Sequence, residues 1–208
     1  MSQRITIVDY GLGNLHSVAR AFQHLGFAVE LAQDAAGIER ADHLVLPGVG
    51  AFADGMSGLQ SRAQDQAIRR HAASHRPLLG ICLGAQLLMD ESEEFGRHQG
   101  LGLLPGRVVG IPAEFVRVPH VGWSRLQAPP GQSVFRGVLA AVPVGSWAYF
   151  LHSFQMLPVD PGHLTAVCSY GPRVISAAVG HGSVHGFQFH PEKSGEFGLE
   201  MLRAFASL

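Results

Sequence analysis

Short apolar runs alternate with longer amphipathic segments in the first half of the chain. Four continuous runs of β-branched and aliphatic residues predict buried parallel strands, at residues 4–8, 27–31, 43–46 and 77–81. Apolar residues recur at helical spacing after Leu15, and Asp34 can cap a short helix that ends near Arg40. Residues 56–73 predict one or two helices with a break near Arg62. This β-α-β-α order favours a parallel sheet with helices on both faces.

The pattern changes after residue 90. Residues 91–100 are polar and predict a connection, and the later segments are short, strand-like and separated by Pro and Gly. The predicted strands here are 108–111, 146–153, 164–169, 174–179 and 184–189, and residues 195–205 predict a closing helix. Repeated hairpins indicate an antiparallel extension of the sheet. We therefore expect one α/β domain over residues 1–208, with a flavodoxin-like, mostly parallel central sheet flanked by helices and an antiparallel extension in the C-terminal half.

Composition narrows the function classes. The 208 residues are 47% hydrophobic and carry a net charge of −1, which indicates an ordinary globular core and no nucleic-acid or membrane surface. The two cysteines, Cys82 and Cys168, do not make a disulfide framework. We recognise no signal peptide and no apolar run long enough to cross a bilayer, so the expected location is the cytoplasm.

A strand-turn-helix pattern surrounds Cys82. The apolar run 77–81 precedes it, and residues 83–89 predict a helix with an apolar face. Gly80 and Gly84 stand two positions before and after the cysteine, as a sharp nucleophile elbow requires. A thiol at a helix N-terminus is favoured as the nucleophilic thiolate. The alternative is an inert buried cysteine, so the interpretation needs a base and an oxyanion hole from elsewhere in the chain.

A candidate base follows a late strand. Residues 187–189 alternate in polarity and lead into His190, Pro191 and Glu192. Two positions apart on an extended chain, His190 and Glu192 lie on the same side, so the carboxylate can fix the imidazole tautomer. Twelve histidines make a purely structural role for any one of them the alternative. The elbow and the His-x-Glu pattern together favour a catalytic pair.

Two sources of oxyanion-hole donors are present. The amide of Leu83 directly follows the nucleophile, which is the usual position of one donor. The second is expected from the loop at residues 47–50, whose two glycines let the backbone approach a substrate closely, through the amide of Val49 or Gly50. Without the elbow, this loop would be a plain tight turn.

Nucleotide and metal sites are weaker interpretations. Gly11 and Gly13 follow a strand, but the third glycine of the dinucleotide fingerprint falls on His16, and Glu30 is no convincing ribose ligand. His181 and His185 are four positions apart and would share one face of a strand, and His120 and His152 stand elsewhere in the chain. No cluster of cysteines or carboxylates with zinc-like spacing completes a metal site. We expect no metal and no cofactor.

The motifs at residues 47–50, 80–86 and 189–192 resemble those of class I (triad-type) glutamine amidotransferases. Within this family the chain is most similar to the glutaminase subunits of imidazole glycerol phosphate synthase. That narrower likeness rests on residues 9–15, 119–123, 149–154 and 193–194. Two positions depart from the pattern: Ala85 replaces a usual Met, and Ser124 replaces a common Asn.

The resemblance implies a catalytic triad of Cys82, His190 and Glu192, with glutamine as substrate. The glutamine-binding residues that it implies are Gly48, Gln86, Ser153 and Phe154. The residues that it places at a partner interface are Asn14, Trp123, Tyr149, Lys193 and Ser194. The partner it implies is a cyclase subunit, a (β/α)₈ barrel in a heterodimer, which would receive the ammonia. The motifs and their scaffold occupy all 208 residues, so we expect this acceptor enzyme on a separate chain.

Other functions stay open at this stage. The chain could serve a different synthase, such as one for anthranilate or pyridoxal phosphate. A cysteine hydrolase on the same fold usually has its His directly after the elbow, where this chain has Leu83. A non-catalytic binding module is a third possibility. We also expect the isolated chain to be nearly inactive, since a peptide in the loop at residues 47–50 can turn its carbonyl toward the oxyanion position.

Overall fold

The computed structural model describes residues 4–114 and 116–208. The helices of this part are α1 (Leu15–His24), α2 (Ala35–Glu39), α3 (Phe52–Ser61), α4 (Gln64–Ala73), α5 (Leu83–Leu87) and α6 (Gly195–Ala206). The strands are β1 (Arg4–Val8), β2 (Ala28–Ala32), β3 (His43–Gly48), β4 (Leu78–Cys82), β5 (Met89–Ser92), β6 (His98–Gln99), β7 (Leu104–Gly110), β8 (His120–Gln127), β9 (Trp147–His152), β10 (Phe154–Pro158), β11 (Leu164–Tyr170), β12 (Arg173–His181) and β13 (Val184–Phe187). Short 3₁₀ turns occupy Gly137–Ala141, Pro161–His163 and Pro191–Lys193.

A nine-stranded sheet forms the centre of the fold, in the order β2-β1-β3-β4-β13-β12-β11-β8-β9. Neighbours from β2 to β13 run parallel, and those from β13 to β9 run antiparallel. The predicted fold class is confirmed, including the antiparallel extension. Gly48 pairs with Cys82 where β3 and β4 end, and β13 ends beside them. The carboxyl ends of three parallel strands therefore meet at one edge, which is where open α/β sheets bind ligands.

The two faces of the sheet carry separate apolar cores. One core includes Phe22 of α1 and Phe205 of α6, and the other includes Leu59 of α3 and Ile68 of α4. Fully burying an apolar side chain of this size contributes about 1.5–3 kcal/mol, so both helical layers are held firmly on the sheet. That the chain is one domain stays a prediction. No helix among residues 4–114 and 116–208 has the length and apolarity to span a bilayer.

The predicted break between two helices lies where expected. Helix α3 ends at Ser61, α4 begins at Gln64, and Ala63 between them has a φ of 52°. The side chains of Arg62 and Gln64 both donate to the carbonyl oxygen of Asp9, at 2.9 and 3.1 Å. The helix junction is thereby tied to the end of β1.

A second sheet, in the order β10-β7-β5-β6, departs from the sequence expectation. The predicted helix at residues 83–89 ends at Leu87, and Met89 already belongs to β5. The amide of Leu103 donates to the carbonyl of Leu88 at 2.9 Å, and Met89 pairs with Leu104. These long-range backbone bonds replace the helical ones, so the apolar residues after Leu87 are buried by strands. The predicted polar connection at 91–100 consequently contains the end of β5 and all of β6.

Besides β5 and β6, the strands β8 and β10 have no counterpart among the predicted ones. Strand β8 contains Gly122 at φ +132°, and glycine has a low strand preference. Strand β10 ends in a proline. Both gain their structure from partners distant in sequence, β9 and β7 respectively. A local pattern therefore could not reveal them.

Candidate active site

Cys82 occupies a strained turn between β4 and α5. Its φ of 55° and ψ of −112° are rare for a residue with a side chain, and such conformations cost of order 1–3 kcal/mol and cluster at active sites. A Cβ on Gly84 would collide with the Leu46 carbonyl oxygen, and one on Gly80 would lie 2.6 Å from the Cα of Ala85. The two glycines are thus required by close backbone approach, as the elbow interpretation expects.

His190 and Glu192 form a buried pair. Nδ1 of His190 lies 2.9 Å from Oε1 of Glu192, and the side chains are 4% and 1% exposed. The sequence predicts that an extended chain brings these two side chains together. Instead, β13 ends at Phe187, and the 3₁₀ turn Pro191–Lys193 brings the carboxylate of Glu192 to the imidazole. Nε2 of His190 has no hydrogen-bond partner among the described residues. It is the nitrogen left for the reacting groups.

The backbone around His190 is fixed to β9. The amide of His190 donates to the carbonyl of Tyr149 at 2.9 Å. The hydroxyl of Ser194 donates to the carbonyl of His190 at 2.6 Å and accepts from the amide of Tyr149 at 3.0 Å. The resemblance places Ser194 at a partner surface, whereas the structure leaves it 2% exposed with its hydroxyl fully used internally. Ser194 therefore holds the catalytic turn in place.

A cavity of about 290 Å³ opens at Cys82, which is the size of a small-ligand site. Its lining residues are Val49, Gly50, Cys82, Leu83, Gln86, Glu94, Pro119, Leu151, His152, Ser153, Phe154 and His190. Most of the sequence-derived site residues therefore meet in one place. Gly48 does not line the cavity but lies behind it, where a Cβ would meet Leu83 at 2.9 Å and the hydroxyl of Tyr10. A substrate-binding role for Gly48 therefore stays a prediction. Glu192 also does not line the cavity and lies behind His190.

The electrostatics of the cavity favour a protonated His190 that is ion-paired with Glu192. Burial lowers the pKa of His190, but interactions with Cys82 and Glu192 outweigh it and raise that pKa from 6.5 to about 9. Burial and the charge of Cys82 raise the pKa of Tyr10, which stays neutral. The Tyr10 hydroxyl donates to the carbonyl of Pro47 at 2.9 Å. The first peptide of the loop at residues 47–50 is thereby held in one orientation.

Gln188 is a buried polar residue that the sequence reasoning missed. Its side chain accepts from Nε2 of Gln86 at 3.0 Å, and its Nε2 lies 3.9 Å from Sγ of Cys82. Gln188 is fully buried and stands between Phe187 and Phe189 in the sequence. A polar residue within a buried aromatic run is unusual, and this pattern could have marked Gln188 as a functional candidate.

Glu94 is a second residue that the sequence reasoning missed. Its Oε2 accepts from the amide of Phe52 at 2.7 Å, at the start of α3, whose own N-cap residue makes no side-chain cap. The carboxylate also lines the cavity. Because Glu94 and Phe52 are 42 positions apart in the chain, no local pattern in the polar stretch marks this contact.

Three of the residues expected at a partner interface form one surface cluster, in which Trp123 and Lys193 are exposed and Tyr149 is half-buried. Trp123 is 51% exposed and meets the ring of Tyr149 edge-on at 5.9 Å. Nζ of Lys193 lies 5.9 Å from the centre of the Tyr149 ring. The side chain of Asn14 accepts from the amide of Ser17 at the start of α1. A partner role for these residues stays a prediction.

This arrangement can carry out nucleophilic acyl transfer. A thiol at a strained elbow, an imidazole oriented by a buried carboxylate, and glycine-containing backbone beside the thiol are the parts of a cysteine-dependent triad. Among residues 4–114 and 116–208, no group of three or more His, Cys, Asp or Glu side chains has the arrangement of a metal site.

A family model for glutamine amidotransferase class-I matches residues 6–207. The chain belongs to the class I glutamine amidotransferases. This amidotransferase is 44% identical over 210 residues to imidazole glycerol phosphate synthase subunit HisH 1 of Legionella pneumophila strain Lens, covering 98% of this chain and 99% of that protein. It is 45% identical over 204 residues to the HisH subunit of Moorella thermoacetica, covering 98% and 94%. The HisH subunit of Symbiobacterium thermophilum is 46% identical over 199 residues, covering 96% and 91%.

Solved structures share the fold of this amidotransferase. The structure of PurLQS from Thermotoga maritima matches with a TM-score of 0.73 at 20% identity, covering 100% of this chain and 99% of that one. A crystal structure described as a glutamine amidotransferase matches with a TM-score of 0.72 at 19% identity, covering 98% and 99%. At such low identity the likeness concerns the fold alone.

Proposed function

We propose that this amidotransferase is the glutaminase subunit of an imidazole glycerol phosphate synthase. It hydrolyses glutamine to glutamate and ammonia and passes the ammonia to a separate cyclase subunit, a (β/α)₈ barrel in a cytoplasmic heterodimer. The cyclase then forms imidazole glycerol phosphate and the aminoimidazole carboxamide ribonucleotide. The relatives named as subunits of that synthase are matched over nearly their full length, which supports the assignment. The observation that carries the proposal is that Cys82 and His190 line one cavity, with Glu192 bonded to His190 behind it.

The first chemical step forms a tetrahedral intermediate on Cys82. With the proton of the Cys82 thiol already transferred to His190, Sγ attacks the carbonyl carbon of the substrate's side-chain amide. The negative oxygen is stabilised by the amide of Leu83 and by that of Val49 or Gly50, all of which lie at the cavity. One such donor contributes about 3 kcal/mol to the transition state.

The second step releases ammonia and glutamate. His190, now protonated, gives its proton to the leaving nitrogen, and the γ-glutamyl thioester remains on Cys82. Water then attacks the thioester with His190 as the base. Glu192 holds Nδ1 throughout, so that Nε2 faces the reacting atoms.

Recognition of glutamine rests on both polar and charged groups of the cavity. Gln86, Ser153 and Phe154 line it, as the resemblance implies. Glu94 adds a carboxylate, the group that pairs with the α-ammonium of a free amino acid. Since Glu94 uses one oxygen to cap α3, its position is fixed before the substrate arrives.

The oxyanion loop has room to change conformation. Gly50 has a φ of 101°, and a Cβ on it would meet no atom within 4 Å. Tyr10 fixes the Pro47 carbonyl, so a change is confined to the later peptides of the loop. The proposed state of the isolated chain turns a carbonyl toward the oxyanion position, and the bound cyclase shifts the population toward the competent form.

The test is glutamate release from glutamine by the purified chain, alone and with a cyclase subunit and its nucleotide ligand. We expect near silence alone and strong activation in the mixture. Cys82→Ala should abolish release in both, while the circular dichroism spectrum stays unchanged. Full activity of Cys82→Ala would refute the mechanism. Activity that the cyclase leaves unchanged would keep the glutaminase and refute the proposed partner.

A further inference from the structure

A chain of hydrogen bonds runs from β8 to the wall of the glutamine cavity. Oγ of Ser124 lies 2.9 Å from Nε2 of His120, whose Nδ1 lies 3.0 Å from Nε2 of His152. Nδ1 of His152 lies 2.7 Å from the carbonyl oxygen of Phe154. His120 and His152 face each other directly across the β8–β9 pair. The chain therefore follows from the register of the two strands.

The last bond determines the direction of all the others. A carbonyl oxygen only accepts, so Nδ1 of His152 must carry a hydrogen. In a neutral ring Nε2 of His152 is then an acceptor, which requires Nδ1 of His120 to donate. Nε2 of His120 is in turn an acceptor, and the hydroxyl of Ser124 donates to it. The Phe154 carbonyl thus fixes the tautomers of two rings, and the Ser124 hydroxyl, which can donate or accept, donates to the last free ring nitrogen.

Both imidazoles are held neutral and in fixed orientations. Burial lowers the pKa of His120 to about 4, and burial together with His120 and His190 lowers that of His152 to about 3 against the raising effect of the Phe154 carbonyl. The ring of His120 lies between Phe150, stacked at 4.7 Å, and Tyr170, at 4.1 Å. Rotation of His120 out of the chain would break these ring contacts.

The series of hydrogen bonds ends on a group of the substrate site, the carbonyl of Phe154. The carbonyl of Phe154 accepts from His152 and also from Nε2 of Gln86 at 3.2 Å. His152, Gln86 and Phe154 all line the cavity that contains Cys82. If His152 adopted the other tautomer, a nitrogen lone pair would face the carbonyl oxygen, and the peptide before residue 155 would have to move.

We propose that His152 is a positioning residue of the glutamine site that holds the Phe154 carbonyl, and that Ser124, by donating to His120, keeps the two rings in the orientation that this contact needs. This inference rests on the proposed function for the identity of the substrate. Ser124 is half-buried beside the exposed Trp123, so the chain links the outer strand pair to the cavity. Gly122 stands between His120 and Ser124 in sequence and adds no side chain between them.

The first test reads the tautomers in the wild-type protein. The full chain is labelled with ¹⁵N-histidine, and long-range imidazole correlations are recorded at neutral pH. Both His120 and His152 are expected as the Nδ1–H tautomer, with Nε2 unprotonated; spectra of His120→Asn and His152→Asn assign the signals. An Nε2–H tautomer or a doubly protonated ring at either position overturns the inference. This measurement needs no active variant.

The second test separates the hydroxyl from the shape of residue 124. Ser124→Thr keeps the donor, whereas Ser124→Val has nearly the shape of Thr without the hydroxyl and also excludes a replacing water. With the chain mixed with the cyclase subunit, Ser124→Val should raise the KM for glutamine roughly three- to tenfold, as expected for one lost neutral hydrogen bond, and change kcat less than about twofold. Ser124→Thr should behave as the wild type, and in Ser124→Val both rings should keep the Nδ1–H tautomer, because the Phe154 carbonyl still requires it.

The outcomes separate the two proposals. Equal KM values for Ser124→Val and Ser124→Thr, or a loss confined to kcat, overturn the positioning role. A wild-type mixture that releases no glutamate overturns the proposed function, and the positioning role with it, while the ¹⁵N spectrum still decides the tautomers.

Discussion

Removing the sulfur of Cys82 should change the titration of His190. In the folded protein the pKa of His190 is raised from 6.5 to about 9, which favours the imidazolium by about 3 kcal/mol. Burial opposes this shift, and Cys82 and Glu192 produce it. In Cys82→Ala only Glu192 opposes burial. We expect the pKa of His190 to fall by more than about one unit, toward its ordinary value.

The same change alters how stability depends on pH. A folded pKa above the unfolded value means that the imidazolium contributes stability below about pH 6.5 and that this contribution is lost as the pH rises through about 9. The unfolding free energy of the wild type should therefore decline across this window. That of Cys82→Ala should decline less, because its folded and unfolded pKa values are closer.

NMR titration of the His190 ring in the full-length chain measures the effect, with His190→Asn identifying the signal. Cys168→Ala is the matched control, since Cys168 is the other buried thiol and burial alone raises its pKa to about 12. His190 should titrate near 9 in this control. An unshifted His190 in Cys82→Ala, or an equal shift in Cys168→Ala, would refute the ion-pair reasoning.

Four further outcomes are expected. Gly84→Ala should cost at least about 3 kcal/mol in urea unfolding through its backbone collision, whereas Gly110→Ala, whose nearest atom is 3.9 Å away, should stay within about 1 kcal/mol. Ser194→Ala should cost about 2 kcal/mol and lower glutamate release, and the exposed Ser169→Ala should change neither. Glu94→Gln should raise the KM for glutamine about tenfold or more, with kcat less affected; an unchanged KM would remove Glu94 from recognition. Stability should fall as the pH drops below about 6.5, by about 2 kcal/mol for each buried neutral histidine at about pH 5, because the unfolded chain binds these protons first. Burial is the main cause that lowers the pKa of these histidines, to about 4 for His71, His120 and His185 and to about 3 for His152.

The nucleophile elbow could be predicted from a few consecutive residues because its geometry depends only on residues close to Cys82 in the sequence. Close packing at Gly80 and Gly84 forces small residues at fixed distances from Cys82, so the sequence carries the signature directly. The same holds for the parallel strands, whose burial on both faces leaves continuous apolar runs. The pairing of His190 with Glu192 followed from their spacing, although the turn that produces it was expected to be extended chain.

The remaining features depend on partners distant in sequence. Helix α5 ends at Leu87 because the amides of Leu101 and Leu103 donate to the carbonyls of Leu87 and Leu88. The sequence of residues 83–89 contains no signal that predicts these bonds. Glu94 reaches the cavity by capping α3, and Ser194 is buried by bonds to β9. The sequence by itself determined the parallel core, the nucleophile and its base, since each is dictated by short-range sterics or spacing. Only the tertiary structure decided the second sheet, the cavity wall and the tautomers of its histidines, because hydrogen bonds between segments far apart in the chain leave no periodic trace within either segment.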